Sequence, residues 1–249
     1  MSIYNHIIEG KSKNIKQFAV LVDPDNISEQ ECIYLAKEAE KAKVDLFFVG
    51  GSLIAGNGLH STIKTLKANC KIPIIIFPGN NLHIDAEADG ILFLSLISGR
   101  NPEHLIGQHV LAAPILKRTK LEILPTGYIL IDGGAPTTVS YISNTTPIPA
   151  DKPTIAACTA MAGELLGLKL IYLDAGSGAK QHISRKLIST VRRAVDAPII
   201  IGGGIDNEYK AQEIYEAGAD ILVIGNGIEK EFELMIKVAQ LKERLNNEK

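Results

Sequence analysis

Eight short apolar runs recur along this chain, most of them separated by stretches with helical periodicity. Each run is continuously apolar, which is typical of strands buried on both faces in a parallel sheet covered by helices. Eight strands alternating with helices over about 250 residues predict a (β/α)8 TIM barrel, an α/β fold, as a single domain spanning residues 1–249. The runs are Phe18–Val22, Leu46–Val49, Ile72–Phe77, Gly90–Leu94, Tyr128–Ile131, Leu170–Leu173, Ile199–Ile201 and Ile221–Ile224.

An open doubly wound sheet is the alternative arrangement for this pattern. Its first strand would be followed by a Gly-x-Gly-x-x-Gly loop, whereas Asp23-Pro24-Asp25 follows the first run here. The periodic segments between the runs predict the helices of the barrel, and the first of them opens with a Ser28/Glu31 capping box. The predicted helices are Ser28–Lys43, Leu59–Ala68, Pro102–Leu111, Thr154–Leu166, Ser184–Val195, Glu208–Ala217 and Ile228–Leu245.

The connection after the third run is too short for a full helix. It lies between Phe77 and Asp89, and it begins with Pro78-Gly79-Asn80-Asn81. A crossover between parallel strands takes about a dozen residues including its helix. We therefore expect the third helix of the barrel to be short or missing.

Composition excludes several classes of protein. The net charge is -2 and aromatic residues make up 5% with no Trp, so the chain offers neither a basic field nor a stacking platform for nucleic acid. No apolar run approaches the ~20 residues that cross a bilayer. The three cysteines fit no zinc or disulfide pattern, and the first residues do not form a secretory signal. We expect a cytoplasmic protein.

Glycines follow the last three strands. TIM barrels carry function at the carboxyl ends of their strands, and the loops after strands seven and eight commonly hold phosphate. Glycine lets backbone N–H groups approach an anion closely. One glycine pair could be a simple turn, but three such loops on consecutive strands predict a phosphate site. The loops are Leu173–Gly178, Ile201–Gly204 and Ile224–Gly227.

Three further polar residues end strands. Asp23 and Ser52 follow the neighbouring first and second strands. A carboxylate and a hydroxyl beside phosphate groups suit Mg²⁺, although a turn residue before Pro24 and a helix cap explain them equally well. Asp174 ends the sixth strand, where it could take a proton from a bound alcohol or only hold a substrate hydroxyl.

Seven ordered motifs together resemble the geranylgeranylglyceryl phosphate synthase family. The resemblance covers nearly the whole chain, from the Asp23 loop to Asn226, and it includes bacterial members of the family. The motifs are Val22–Asp25, Val49–Ser52, Phe77–Asn80, Leu124–Tyr128, Tyr172–Ala179, Gly202–Ile205 and Gly225–Asn226.

The resemblance implies a prenyltransferase that joins a polyprenyl diphosphate, with geranylgeranyl diphosphate expected, to the 3-hydroxyl of sn-glycerol 1-phosphate. It implies a barrel with irregular chain in place of the third helix, Mg²⁺ held by Asp23 and Ser52, and a long apolar groove for the prenyl tail. Asp174 stands where many relatives have Glu, so its arm is shorter by about one carbon. The implied glycerol phosphate site comprises Tyr172, Leu173, Asp174, Ala175, Gly176, Ser177, Gly178, Gly203, Gly204, Gly225 and Asn226.

Two other functions remain open at this stage. A phosphosugar isomerase or lyase shares the barrel and its phosphate loops, but usually carries a lysine or a carboxylate pair inside the barrel. A phosphate-ligand sensor would not need Asp23 and Ser52. In addition, the predicted helix Thr154–Leu166 is apolar on most sides, which favours a contact with a second copy of the chain and hence a homo-oligomer.

Overall fold

The computed structural model describes residues 2–248 and contains a closed barrel of eight parallel strands, each paired with its neighbours in chain order. The first strand also pairs with the eighth, which closes the barrel. The predicted TIM barrel is therefore confirmed over these residues. The strands are β1 (Gln17–Val22), β2 (Leu46–Gly50), β3 (Ile74–Phe77), β4 (Gly90–Leu96), β5 (Glu122–Leu130), β6 (Leu170–Asp174), β7 (Ile199–Gly202) and β8 (Ile221–Ile224).

Side chains of the strands alternate between two cores. Phe18, Val20 and Val22 of β1 pack in the layer between strands and helices. Ala19 of the same strand belongs to a second cluster, with Phe48, Leu92 and Tyr172, that fills the barrel interior. Both faces of each strand are thus apolar, which accounts for the continuous apolar runs in the sequence.

The helices surround this barrel. The predicted capping box is present at the start of α2, where the Ser28 hydroxyl accepts the Glu31 N–H and the Glu31 carboxylate accepts the Ser28 N–H. The helices are α1 (Ile3–Ser12), α2 (Glu29–Lys41), α3 (Gly58–Asn69), α4 (Gln108–Leu116), α5 (Thr138–Ile142), α6 (Pro153–Leu165), α7 (Arg185–Arg192), α8 (Glu208–Ala217), α9 (Asn226–Lys230) and α10 (Glu233–Asn247). None of the helices within residues 2–248 is long and apolar enough to cross a membrane.

The connection from β3 to β4 contains no helix. This confirms the expectation that the helix following the third strand of the barrel is short or missing. Its backbone is held by His83, whose Nδ1 accepts the N–H of Gly79 at 3.0 Å. Gln108 of α4 accepts the N–H of Asn81 at 3.1 Å. These bonds fix an irregular segment against the mouth of the barrel.

Helix α1 was not predicted, and it closes the opposite end of the barrel. Its Ile3 and Ile7 pack into the interior cluster. The Glu122 carboxylate of β5 accepts the N–H groups of Ile3 and Tyr4, at 2.6 and 2.8 Å. A carboxylate at a helix N-terminus satisfies free amides and complements the helix dipole.

Two predicted helices differ in the structure. The segment predicted as Pro102–Leu111 is a π-helical turn over Glu103–Gly107 that runs into α4. The segment predicted as Ile228–Leu245 is two helices, because Glu231 is extended and the chain turns there. Phe232 at this turn packs its ring against Tyr34 of α2, with centroids 4.9 Å apart. The short α9 is thereby placed at the barrel mouth, while α10 packs outside.

Candidate active site

A polar cavity opens at the carboxyl ends of β1, β2, β6, β7 and β8, and it encloses about 1200 Å³ of space, part of it open to solvent. The sequence-predicted residues that line this polar cavity are Asp23, Ser52, Tyr172, Asp174, Gly176, Ser177, Gly178, Gly203, Gly204, Gly225 and Asn226. The strand ends that are predicted to carry function therefore meet in one place.

The glycine loops of this cavity contain backbone conformations that favour glycine. Gly203 has a φ of +87°, and a Cβ there would lie 2.8 Å from the Ala175 and Gly176 nitrogens and from Asp174 Oδ1. Only glycine fits such a left-handed, crowded position without strain. The loops after β6 and β8 are linked by the Ser177 hydroxyl, which donates to Asn226 Oδ1 at 2.7 Å.

Leu173 and Ala175 do not line the cavity. Both side chains are buried in the layer between strands and helices. The Ala175 N–H donates to the Gly202 carbonyl, and the Gly176 N–H donates to Asp174 Oδ1. These two hydrogen bonds hold the loop after β6 in shape.

Asp174 is buried, and both of its carboxylate oxygens have partners. The Tyr128 hydroxyl of β5 donates to Oδ2 at 2.5 Å, while the Gly176 N–H donates to Oδ1 at 2.8 Å. Burial raises the pKa of Asp174, and these two hydrogen bonds oppose that rise because they favour the ionised form. The side chain of Asp174 is shorter than the glutamate that the family resemblance implies here, and a hydroxyl from the neighbouring strand reaches its carboxylate.

Asp23 takes part in its own turn as well as lining the cavity. Its Oδ1 accepts the Asp25 N–H at 3.0 Å, and its Oδ2 accepts from Asn26 Nδ2 at 2.8 Å. Asp25 in turn accepts the Ala55 N–H at 2.6 Å, which ties the β1 loop to the loop that carries Ser52. The turn interpretation of Asp23 and its exposure to the cavity are therefore compatible.

The donor set near Asp23 is small. Glu229 of α9 lines the same cavity, and its pKa is raised by partial burial and then by the negative charge of Asp23. Within residues 2–248, no three histidine, cysteine, aspartate or glutamate side chains form a group that could hold a metal ion. One carboxylate and one hydroxyl suit only a cation that completes its coordination with water and phosphate oxygens, as Mg²⁺ does.

An apolar groove adjoins the polar cavity and contains about 810 Å³ of space, part of it open to solvent. It runs from the end of β3 over β4 towards α4 and α5. Among residues 2–248, only Gly51, Ser52 and Phe77 line both the groove and the polar cavity. The other lining residues include Ile84, Ile91, Leu92, Phe93, Leu94, Leu96, His104, Gln108, His109, Ala112, Leu116, Tyr128, Val139 and Ile142.

Several residues of the site had no assigned role in the sequence. Tyr128 belongs to the motif Leu124–Tyr128, but only the β5–β6 register, which pairs it with Tyr172, shows that it reaches Asp174. Glu229 and Lys230 line the polar cavity because α9 is a separate short helix. No pattern in the sequence predicts that break in the helix.

Comparison with known proteins places the chain in a family. The PcrB family matches residues 9–243. A geranylgeranylglyceryl phosphate synthase of Chitinophaga pinensis is 55% identical over 237 residues, which cover 95% of this chain and 94% of the relative. One of Methanosphaera stadtmanae is 38% identical over 241 residues, covering 97% and 98%.

Solved structures agree with these matches. The crystal structure of (S)-3-O-geranylgeranylglyceryl phosphate synthase from Thermoplasma acidophilum, in complex with its substrate sn-glycerol-1-phosphate, superposes with a TM-score of 0.92. It is 33% identical in sequence, and the match covers 98% of this chain and 99% of that one. The barrel, its glycine loops and these relatives together lead to one conclusion: the chain belongs to the PcrB family, the family of the geranylgeranylglyceryl phosphate synthases.

Proposed function

We propose that this protein is a prenyltransferase that joins a polyprenyl diphosphate, preferably geranylgeranyl diphosphate, to the 3-hydroxyl of sn-glycerol 1-phosphate. The products are the ether-linked glycerol phosphate and diphosphate. The observation that carries the proposal is the meeting of a glycine-lined polar cavity and an apolar groove at Gly51, Ser52 and Phe77. One site thus accepts a small phosphorylated alcohol and a long apolar chain side by side.

The glycerol phosphate occupies the polar cavity. Its phosphate is bound by the β7 and β8 loops at Gly203, Gly204, Gly225 and Asn226, and by the Ser177 hydroxyl. The Thermoplasma acidophilum relative was solved in complex with sn-glycerol-1-phosphate, which supports this compound as the substrate. Holding the alcohol by its phosphate brings the 3-hydroxyl to the junction of the two cavities. This positioning lowers the activation barrier, because the hydroxyl is already oriented towards the prenyl chain when the reaction begins.

Asp23 and Ser52 are the residues that would hold Mg²⁺. Both residues line the polar cavity, Ser52 at its junction with the groove, and such a donor set fits a cation that also binds diphosphate oxygens. When bound, the cation neutralises charge on the leaving diphosphate. Asp25 supports this site indirectly, because it ties together the loops of Asp23 and Ser52.

Asp174 accepts the proton of the 3-hydroxyl as the ether bond forms. Its raised pKa makes it a stronger base than an exposed aspartate. Tyr128 keeps the carboxylate in place, since its hydroxyl binds Oδ2 from the neighbouring strand.

The activity is tested by incubating the protein with Mg²⁺, labelled sn-glycerol 1-phosphate and C10, C20 or C35 prenyl diphosphate. We expect an ether-linked product, with the C20 substrate preferred. Titration with a pentose phosphate tests the isomerase or lyase alternative, which is already weakened because none of the eight described strands contains lysine. Binding of phosphate ligands without any product would favour a sensor and contradict the proposal.

The Tyr128–Asp174 pair predicts a shift in pH dependence. The Tyr128 hydrogen bond lowers the pKa of Asp174, so Tyr128→Phe raises that pKa further. Because the ionised carboxylate is the base, activity falls as pH drops through this pKa, and the acid limb of kcat/KM moves to higher pH in the variant. Tyr172→Phe is the control, because no hydrogen bond joins Tyr172 to Asp174; its acid limb stays in place. An unshifted limb in Tyr128→Phe would contradict the role of Asp174 as base.

We also propose that the protein is a homo-oligomer, formed through α6. This helix turns Ala156, Ala160 and Gly163 towards the barrel, while Leu165 and Leu166 are 88% and 78% exposed. Exposed large apolar side chains at the end of one helix favour a contact with a second copy.

Leu165→Glu is expected to shift the protein towards a 26.9 kDa monomer in sedimentation velocity, because a charge cannot be buried at an apolar contact without cost. Tyr209→Glu is the matched control, since Tyr209 is similarly exposed on α8. That variant keeps the assembly of the unmodified protein. An unmodified protein that sediments as a monomer at micromolar concentration would contradict the proposal.

A further inference from the structure

A cluster of four aromatic rings lies beneath the junction of the two cavities. The ring of Phe77 at the end of β3 lies 5.6 Å from Tyr172, 6.0 Å from Tyr128 and 6.5 Å from Phe48, measured between centroids. Tyr128 and Tyr172 are themselves 5.4 Å apart. Only the Phe77 member of the cluster lines both the groove and the polar cavity.

The backbone of Phe77 is held firmly. Its carbonyl accepts the Gly51 N–H at 3.1 Å, and a Cβ on Gly50 would lie 2.1 Å from that same carbonyl oxygen. The ring packs against the other aromatic side chains of the cluster and is 7% exposed. Phe77 is therefore a fixed, largely desolvated aromatic residue at the junction.

The proposed prenyl transfer creates positive charge on the prenyl chain at the junction of the two cavities. The bond from C1 of the prenyl chain to the diphosphate oxygen breaks, and its electron pair leaves with the diphosphate. Positive charge then spreads over C1 and C3 of the allylic group until the 3-hydroxyl oxygen bonds to C1 and its proton passes to Asp174. With the chain in the groove and the alcohol in the polar cavity, C1 lies where the two cavities meet.

We propose that Phe77 is a catalytic residue whose ring stabilises the developing allylic cation through a cation–π interaction. The face of an aromatic ring attracts a cation within about 6 Å, and the attraction is strongest where water is excluded. Asp23, Asp174 and Glu229 also face the polar cavity, but close approach of a carboxylate to C1 would compete with the hydroxyl for the cation. A neutral ring stabilises the charge without capturing it. This inference rests on the proposed prenyl transfer.

Fluorinated phenylalanines provide the test. Site-specific replacement of Phe77 by its mono-, di- and trifluoro analogues weakens the negative face of the ring while nearly preserving its shape. We expect the single-turnover rate with geranylgeranyl diphosphate to fall stepwise, by about 10- to 30-fold for the trifluoro ring. The affinities for both substrates should change little, because the charge is absent from the ground state.

Phe48 is the matched control. It belongs to the same cluster but lines neither cavity, so the same fluorinated series at Phe48 leaves the rate unchanged. A flat response at Phe77, or an equal decline at Phe48, overturns the inference while the unmodified enzyme still forms product. Absence of product from the unmodified enzyme contradicts the proposed prenyl transfer and the inference with it.

Discussion

Asp23→Asn is expected to lower turnover by about 10³-fold, equivalent to roughly 4 kcal/mol of barrier, with little change in folding. Asparagine can still accept the Asp25 N–H through its carbonyl oxygen, so the turn at the end of β1 is retained. It lacks the charge that a hard cation prefers. The measurements are the steady-state rate, the melting temperature, and calorimetric binding of diphosphate with and without Mg²⁺.

Two variants separate the charge of Asp23 from its place in the turn. Asn26→Ala removes the hydrogen bond to Asp23 Oδ2 but leaves the carboxylate, and we expect turnover within a few-fold of the unmodified enzyme. Ser52→Ala should cost less than Asp23→Asn because water can fill its coordination position. If Asn26→Ala loses as much activity as Asp23→Asn, or if Asp23→Asn keeps near-normal turnover at saturating Mg²⁺, then Asp23 is only a turn residue.

The barrel could be predicted from the sequence because each strand is buried on both faces. The fifth strand is an exception, because its first residues could not be predicted from the apolar run. The apolar run predicts that this strand begins at Tyr128, whereas β5 begins at Glu122 and includes Pro125 and Gly127. Pro125 lacks an N–H. Its carbonyl points towards β6 and accepts the N–H of Lys169. The β6 ladder begins only with Leu170 opposite Thr126, so the missing donor of Pro125 lies before the first pair of this ladder.

The ligand sites could be predicted only in part. Glycines and carboxylates after strands reveal the polar cavity because the barrel brings all carboxyl ends together. The Tyr128–Asp174 hydrogen bond joins residues 46 apart, and it depends on the register between two strands. The groove depends on the π-helical turn before α4 and on the irregular β3–β4 connection, neither of which has a periodicity that predicts its path.

The second large effect is expected at the phosphate site, where Gly203→Ala should weaken sn-glycerol 1-phosphate binding by about 100-fold or more. The added Cβ would lie 2.8 Å from the nitrogens of Ala175 and Gly176, so the β6 and β7 loops must move apart. Losing two hydrogen bonds to a charged phosphate costs about 3 kcal/mol or more. Binding of the prenyl diphosphate, which depends on Asp23, Ser52 and the groove, should persist.

Gly167→Ala is the control that isolates backbone strain from the phosphate site. Gly167 follows α6 with the same φ of +87°, but a Cβ there meets nothing within 4 Å. Gly167→Ala should lose about 1–2 kcal/mol of unfolding free energy, because alanine is strained in this conformation. Gly203→Ala should lose more, because the close contacts of its Cβ add to the same strain. Only Gly203→Ala should lose affinity for sn-glycerol 1-phosphate, measured by isothermal titration calorimetry. Equal losses in the two variants would mean that strain, not the geometry of the β7 loop, controls binding, and the phosphate would then have to lie elsewhere in the cavity.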